Sequence, residues 1–286
     1  MIMDYHRLMG MAPIVMEQRY SAKESCIYAL GVGCGLDPFD DWTRRHLGPL
    51  PPVRALPAMA IVLAAPRPHA MGLGATLSGM LHGSQGMLLH APLPVEGAVR
   101  SETRVSGVFD RGEGRGCVIA MTRELYDAQT QTHYASMQMT FVCRSDQVAG
   151  APPYAKAEPA SVKERAPDLV VNVPTSPQAA QIFALTGDQN PLHLIPEAAV
   201  QAGFPQPILH GVATYGLCAA FAEKTLCSEG GRLVGLSGRF SAPVFPGDTI
   251  QLAFWRETDG AHIEARVLKR DTCVFADGRV VIRAGA

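Results

Sequence analysis

The residues of this chain best suited to chemistry lie in one short stretch, LTGDQNPLHL, at positions 185–194. It places a carboxylate (Asp188), an amide (Asn190) and an imidazole (His193) within six residues, with Pro191 between the last two. Acid–base chemistry on a neutral substrate needs a base, a proton donor and a group that fixes the water between them, all within hydrogen-bond reach. A carboxylate and an imidazole five residues apart can meet if the chain reverses at the Asn-Pro turn, so this stretch predicts a proton-transfer site.

The same residue types also suit an ordinary turn after a helix. Gly187 would end the helix, Asp188 and Asn190 would hydrogen-bond locally, and Pro191 would prevent the helix from continuing. On residue types alone, both interpretations stay open.

A second stretch, PILHGVATYG at residues 207–216, offers a complementary group. His210 and Gly211 open an apolar helix, and the unpaired amides at a helix start carry partial positive charge. Glycine lets a ligand approach the backbone closely, so Gly211 could stabilise a developing oxyanion. The alternative is that Gly211 only eases close packing and that His210 caps the helix.

Together, GDQNPLH and AGFPQPILHGVATYG resemble the hydration motif of the MaoC-like, (R)-specific enoyl-CoA hydratases. That family's usual pattern is Tyr-x-x-Ser-Gly-Asp-x-Asn-Pro-Leu-His, followed by a Pro-Ile-Leu-His-Gly helix start. The resemblance extends over most of the chain through SCIYALGVGCG, LPAMAIVL, LHGSQ, LLHAPLP, FDRGEG and RFSAPVFPGD. It implies an α+β, double hotdog fold in which each half is an antiparallel sheet wrapped around a helix.

The resemblance also implies a hydro-lyase that adds water reversibly to a trans-2-enoyl thioester of coenzyme A. Asp188 and His193 would be the catalytic pair, Asn190 would order their loop, and the Gly211 amide would bind the thioester oxygen. The implied substrate-binding residues are His82, Gly83, Arg111, Gly187, Pro191, Leu192, His210 and Phe240. No cofactor and no metal are implied, since coenzyme A is part of the substrate.

Two positions depart from the family pattern. The aromatic residue in the helix before the motif is usually Tyr but is Phe183 here, so any hydrogen bond from that hydroxyl is absent. The usual Asp-Lys-Gly turn reads Asp110-Arg111-Gly112. Arginine keeps the positive charge, and its guanidinium can bind a phosphate through two hydrogen bonds, although its geometry differs from that of lysine. Neither change touches the catalytic pair.

Bulk composition narrows the class of protein. The 286 residues carry a net charge of -1, and 47% are hydrophobic, which predicts a packed core and argues against a nucleic-acid surface or a polybasic membrane face. No uncharged apolar run approaches the roughly 20 residues that a membrane helix needs. The seven scattered cysteines predict reduced thiols in a cytoplasmic protein.

The stretch 145–168 is rich in alanine, proline and charge, which predicts an extended linker. We therefore expect a substrate-binding half at 1–150, a linker at 151–168 and a catalytic half at 169–286. In the first half, SAKESCIYALGVG predicts a capped but weak helix, and RSETRVSGVFD, GCVIAMTRELYD and HYASMQMTFVCR predict a three-strand meander.

In the second half, three helices are predicted before four strands. The first, SPQAAQIFALTG, would have Ser176 as its cap and Pro177 at its first position. IPEAAVQAG predicts a second short helix, and HGVATYGLCAAFAEKTL a third that is long enough and apolar enough to be buried.

Three rival functions stay open at this stage. An acyl-CoA thioesterase of the same fold would attack the carbonyl carbon, and a non-catalytic acyl-CoA-binding protein would not need both Asp188 and His193. A metal site could use Asp188, His193 and His210, since two histidines and a carboxylate suit iron or zinc. The length of the acyl chain cannot be deduced from the sequence, and two such chains could pair as a homodimer.

Overall fold

The computed structural model describes residues 2–48, 54–155, 165–227 and 231–284. Its main feature is one antiparallel sheet of ten strands. The strands of the described residues are β1 Ile2–Asp4, β2 Ile14–Tyr20, β3 Met80–Leu89, β4 Gly97–Asp110, β5 Cys117–Asp127, β6 His133–Cys143, β7 Gln147–Ala149, β8 Leu169–Pro174, β9 Arg232–Phe240, β10 Thr249–Glu257, β11 Gly260–Val267 and β12 Thr272–Arg283. The sheet runs in the order β2-β4-β5-β6-β3-β9-β12-β11-β10-β8, and β1 and β7 form a separate parallel pair.

The ten strands form two halves with the same internal order. Reading inward from each edge, the first half is β2-β4-β5-β6-β3 and the second is β8-β10-β11-β12-β9. The halves join where β3 pairs with β9, from Ser84 opposite Arg239 to Leu88 opposite Gly235. The predicted meander is confirmed as β4, β5 and β6, and the double hotdog architecture is confirmed. The limits 150 and 168 of the two halves stay predictions.

A long helix fills the second half. The α-helices of the described residues are α1 Tyr5–Met9, α2 Ala22–Gly31, α3 Asp41–Arg44, α4 Ala179–Ala184, α5 Pro196–Gln201 and α6 Gly211–Leu226. Every residue of α6 from 213 to 223 is buried, and the helix packs against β9 and β12, as the apolar pattern predicts. No helix in these ranges is both long and apolar enough to cross a membrane.

The start of α4 corrects one expectation. The helix begins at Ala179 with Gln178 as its N-cap, so the prediction of Ser176 as cap and Pro177 as first residue is wrong. The Ser176 hydroxyl instead accepts a hydrogen bond from the Gln178 amide at 3.1 Å, which closes a turn before the helix starts. A serine can bond the backbone two residues on in this way, and that turn competes with helical geometry.

The first half has a different interior. The helix α2 begins with the predicted capping box of Ser21 and Glu24, but it packs against α4. The inner face of the first half instead contacts a 3-10 helix, Pro57–Ile61, which also touches α6. Residues 56–64, called the strap below, thus occupy the position that α6 holds in the second half. The resemblance included this segment as LPAMAIVL, but the sequence pattern did not indicate a 3-10 helix there.

Candidate active site

The loop that follows α4 is built around Asn190. The Asn190 side chain accepts a hydrogen bond from the Leu192 amide at 3.1 Å and so caps a 3-10 helix, Pro191–His193. The backbone N–H of Asn190 in turn donates a hydrogen bond to the Asp188 carboxylate at 3.3 Å. These are the local bonds of the turn interpretation. They also fix the direction of Asp188 and His193, so the two interpretations describe one structure.

His193 is buried and held at one nitrogen. Its Nδ1 lies 2.8 Å from the carbonyl oxygen of Ile208, and a carbonyl only accepts, so Nδ1 carries the proton and donates. Burial lowers the pKa of His193 and so favours the neutral ring, and the negative charge of Asp188 offsets part of this effect. A neutral imidazole with its proton on Nδ1 leaves Nε2 free to accept a proton.

His210 joins the same cluster from the start of α6. Its Nε2–H donates to the backbone carbonyl of Asp188 at 2.9 Å, and its ring centroid lies 3.8 Å from that of His193. The ring is fully buried, and burial lowers the pKa of His210 to about 3. His210 is therefore a neutral donor, and its Nδ1 has no hydrogen-bond partner in the described part of the chain.

One potential ligand atom from each of Asp188, His193 and His210 lies within 4.8 Å of the other two. The predicted acid–base pair is thus brought together, with His210 as a third member. Such a set could also hold a metal ion, but one nitrogen of each histidine is already occupied by a backbone carbonyl. The expectation that no metal is bound stays a prediction.

The helix start supplies the other half of the site. Gly211 is the first residue of α6, where by helix geometry the first amides have no partner within the helix. A Cβ built on Gly211 would lie 3.5 Å from the Phe240 ring, so that ring covers this side of the glycine in ordinary contact. The structure thus brings Gly211 and Phe240 together beside His210.

The first half contributes His82 from β3. The His82 ring lies 5.0 Å from Phe240 and 5.2 Å from Phe141 between centroids. Desolvation lowers the pKa of His82 to about 4, while the Asp188 charge acts in the opposite direction. Its Nε2 is shielded from solvent and has no partner among the described residues. A neutral imidazole of the first half, with one unpaired nitrogen, therefore packs against Phe240 of the second half.

Gly83 and Arg111 are not part of the cluster of Asp188, His193 and His210. A Cβ on Gly83 would approach the Thr140 hydroxyl at 2.8 Å, so glycine is needed where β3 and β6 change register. Arg111 lies in the turn between β4 and β5, and its guanidinium donates to the Arg115 carbonyl at 2.9 Å. The neighbouring Asp110 is three strands from β3, or roughly 14 Å at the usual strand spacing. Arg111 thus lies at the same end of the sheet as His82 but outside its contacts.

Sequence reasoning missed a cavity beside the loop. It has a volume of about 190 Å3, and its walls include Tyr28, Met59, Val62, Leu63, Leu185 and Gly187. Four of these residues come from α2 and the strap, more than 100 residues before the loop. Gly187 has a φ of +119°, a conformation that favours glycine, and it lines the cavity one residue before Asp188. We call this space the strap cavity.

Comparisons with known proteins cover nearly the whole chain. Residues 18–145 match the MFE-2 hydratase 2 N-terminal domain, and residues 159–273 match the MaoC like domain. The chain is 33% identical to 3-hydroxyacyl-thioester dehydratase Y of Mycobacterium tuberculosis over 96% of this chain and 93% of that protein. It is 32% identical to enoyl-CoA hydratase ChsH3 of the same organism, over 94% and 95% of the two chains.

A solved structure agrees in fold. The MaoC-like dehydratase from Phytophthora capsici superposes with a TM-score of 0.83 at 24% identity, over 98% of each chain. Since the match spans both sheet halves, the doubled architecture is common to the two proteins.

Proposed function

Because this chain belongs to the MaoC-like, hydratase 2 family, we propose that the cluster of Asp188, His193 and Gly211 is its hydration site. The chain is an (R)-specific enoyl-CoA hydratase, a hydro-lyase that interconverts a trans-2-enoyl thioester and its 3-hydroxyacyl product. The observation that carries the site assignment is the convergence of the Asp188 and His193 side chains, within 4.8 Å, beside the first turn of α6.

The reaction begins with a water held between the catalytic pair. The Asp188 carboxylate and Nε2 of His193 accept hydrogen bonds from it, and the pair takes one proton as the oxygen attacks C3 of the enoyl group. The electrons of the C2–C3 double bond move toward the thioester carbonyl, where an enolate oxygen develops. The pair then returns a proton to C2, so that one water is added overall.

The helix start stabilises the enolate. The Gly211 amide points from the positive end of the α6 dipole, and an amide already fixed in direction needs no reorganisation when charge develops. His82 presents an unpaired nitrogen across Phe240 from this amide, which suits a second polar contact with the thioester. Phe240 covers Gly211 and would flank the thioester.

The remaining predicted residues support the loop or the coenzyme. Asn190 orders the turn, Gly187 supplies its positive φ, and His210 holds the Asp188 carbonyl. Three others, Pro191, Leu192 and Gly83, would contact the substrate through the shape of the loop and of β3. Arg111 would bind a phosphate of coenzyme A from the end of the sheet.

Coenzyme A is the substrate's own carrier, so we propose no separate cofactor, and metal analysis of the purified protein tests that proposal. We place the protein in fatty acid metabolism and, from its free cysteines, in the cytoplasm. The homodimer also stays a proposal, to be tested by the molar mass in solution.

Hydration of crotonyl-CoA is the direct test. Loss of the enoyl-thioester absorbance without release of free thiol supports the hydratase, and chiral analysis of the product identifies the (3R) alcohol. Release of free thiol at a matching rate would instead indicate the thioesterase. Binding without loss of absorbance would indicate an acyl-CoA-binding protein.

A further inference from the structure

A cluster of polar side chains lies on the outer face of the sheet in the first half, apart from the proposed hydration site. We call it the outer-face cluster, and its four members are Glu124 of β5, His133 and Ser136 of β6, and His90, which directly follows β3. Side chains alternate between the two faces of a strand. Glu124 therefore points outward, since its neighbours Arg123 and Leu125 are buried.

The strand register brings the four side chains together. Ser136 pairs directly with Glu124 across β5 and β6, so their side chains share one face. A bulge gives β6 one extra residue between Ser136 and His133, and a bulge of this kind re-aims a side chain, here that of His133. The backbone amide of His90 donates to the Tyr134 carbonyl at 2.9 Å, which keeps His90 alongside β6.

Three potential ligand atoms converge on the hydroxyl oxygen of Ser136. This oxygen lies 2.6 Å from Oε2 of Glu124, 2.9 Å from Nε2 of His90 and 3.4 Å from Nε2 of His133. The same carboxylate oxygen of Glu124 lies 2.8 Å from Nε2 of His133. The hydroxyl therefore occupies the centre of a group made of two imidazole nitrogens and one carboxylate oxygen.

The two imidazoles are stacked, and one of them is neutral. The ring centroid of His133 lies 4.2 Å from that of His90 and 4.7 Å from that of Tyr126, with interplanar angles of 30° and 24°. Desolvation and the neighbouring His133 lower the pKa of His90, while Glu124 acts in the opposite direction. A neutral imidazole is the form of histidine that binds a metal ion. The carboxylate of Glu124 supplies negative charge for a cation.

We propose that His90, His133 and Glu124 form a zinc-binding site in which the ion takes the position of the Ser136 hydroxyl. Two imidazoles and one carboxylate are a ligand set that Zn²⁺ accepts, at distances of about 2.0–2.2 Å, with water in the fourth position. Ser136 turns to another rotamer, and the three ligand side chains close inward by roughly 0.5–1.5 Å to reach those distances. The ion then joins β3, β5 and β6 on the outer face.

This site is separate from the cluster of Asp188, His193 and His210. In that cluster each histidine already bonds a backbone carbonyl through one nitrogen. Zn²⁺ bound there would occupy the place of the reacting water and inhibit hydration. The outer-face cluster takes no part in the proposed reaction, so the two sites are distinguished by different variants.

Calorimetric titration of the full chain with zinc chloride tests the proposal. We expect one Zn²⁺ to bind the outer-face cluster. Loss of an outer-shell partner alone typically costs about 10- to 100-fold in metal affinity, so loss of a direct ligand should cost at least about tenfold. The Kd should therefore rise at least about tenfold in His90→Ala, His133→Ala and Glu124→Gln. The Tm of the unaltered chain should rise with the Zn²⁺ concentration, because an ion that binds the folded state stabilises it.

His262→Ala is the matched control. Nε2 of His262 lies 2.8 Å from Oε1 of Glu257, the same separation as between His133 and Glu124. Within the described ranges, no further histidine, cysteine or carboxylate completes a three-ligand group with this pair. Two ligands are too few for a zinc site. The control should therefore leave the Kd for Zn²⁺ and the Tm shift unchanged.

Ser136→Ala tests the position of the ion. It removes the hydroxyl from the centre and leaves the three ligands in place, so the Kd should stay the same or fall. Loss of zinc binding in Ser136→Ala would overturn this position. Unchanged binding in both His90→Ala and His133→Ala, with binding lost in Asp188→Asn, would overturn the proposal by placing the ion at the hydration site. A titration without heat and without a Tm shift would leave the cluster as a network of hydrogen bonds between strands.

Discussion

Replacing His210 with phenylalanine tests whether this residue contributes to activity as well as to stability. His210→Phe keeps an aromatic ring against His193 and Phe183 but removes the bond from Nε2–H to the Asp188 carbonyl. A buried polar group left unpaired costs about 1–3 kcal/mol, and Asp188 is only half-buried, so the lower end of that range applies. The same substitution removes the unpartnered Nδ1 of His210, which relieves a penalty of about the same size.

The two contributions nearly cancel, so we expect the free energy of unfolding to change by less than about 1 kcal/mol. For a chain of this size that corresponds to a shift in Tm of less than about 4 °C. Activity should respond more strongly, because the Asp188 carbonyl loses its tether to α6. A displacement of about 1 Å at a catalytic group can cost on the order of 100-fold in rate.

The assay follows the enoyl-thioester absorbance with crotonyl-CoA and the melting curve by circular dichroism. We expect kcat about 100-fold lower with little change in Tm. His210→Gln, whose amide can still donate to the carbonyl, should recover part of the rate. A kcat within threefold of wild type at unchanged Tm would refute the tethering role, and a large loss of Tm with normal kcat in the folded fraction would leave His210 a purely structural residue.

Three further predictions concern buried groups. Gly216→Ala should destabilise the fold by about 1–3 kcal/mol, because the Cβ of the alanine would lie 2.5 Å from the Tyr28 hydroxyl. Adding Tyr28→Phe to the same chain should recover part of the loss in Tm. Burial raises the pKa of Glu223 to about 7, so Glu223 ionises at a lower pH in the unfolded chain than in the folded one, and stability falls as pH rises from about 4.5 to 7. Glu223→Gln should therefore raise Tm at pH 8 more than at pH 5, and an equal rise at both would contradict this. Burial lowers the pKa of His210 to about 3, so between about pH 6.5 and 4 the imidazole is protonated in the unfolded chain but not in the folded one. Tm should therefore fall over this range, and it should fall less steeply in His210→Phe. Parallel Tm profiles of the two proteins would contradict this prediction.

The loop that carries Asp188 and His193 was predictable because its signal is local. Asp188, Asn190 and His193 lie within six residues, and the bonds of Asn190 to its neighbours follow from the residue types alone. The hydrogen bond from His210 to this loop was not predictable in this way. Its bond to the Asp188 carbonyl joins residues 22 positions apart, and only the folding of α6 against the loop brings them together.

The outer strands and the first half's interior were harder to predict. The meander β4 to β6 shows clear alternation of apolar and polar residues, whereas β2 is an edge strand in which Val15 and Met16 are exposed. At the other edge, β8 follows the proline-rich stretch and is only six residues long. The strap is an apolar run whose type cannot be determined from periodicity, since a short apolar run suits a strand or a buried helix equally.

The strap cavity depends on contacts that no local pattern contains. Its walls combine residues of β2, α2, the strap and the loop before Asp188, which span positions 18 to 187. The capping box of α2 was correctly predicted, but the sequence did not show that α2 would pack on α4. The local sequence pattern therefore indicates the residues of the proposed site more readily than the contacts that form this cavity.

The most direct test of the central claim is the rate of crotonyl-CoA hydration by Asp188→Asn beside wild type. Asparagine is nearly isosteric with aspartate, so the loop should keep its hydrogen bonds and the Tm should change little. If Asp188 takes part in removing the proton from water, kcat/KM should fall by at least about 100- to 1,000-fold, as for the loss of an oxyanion donor. Full hydratase activity in Asp188→Asn would contradict the account.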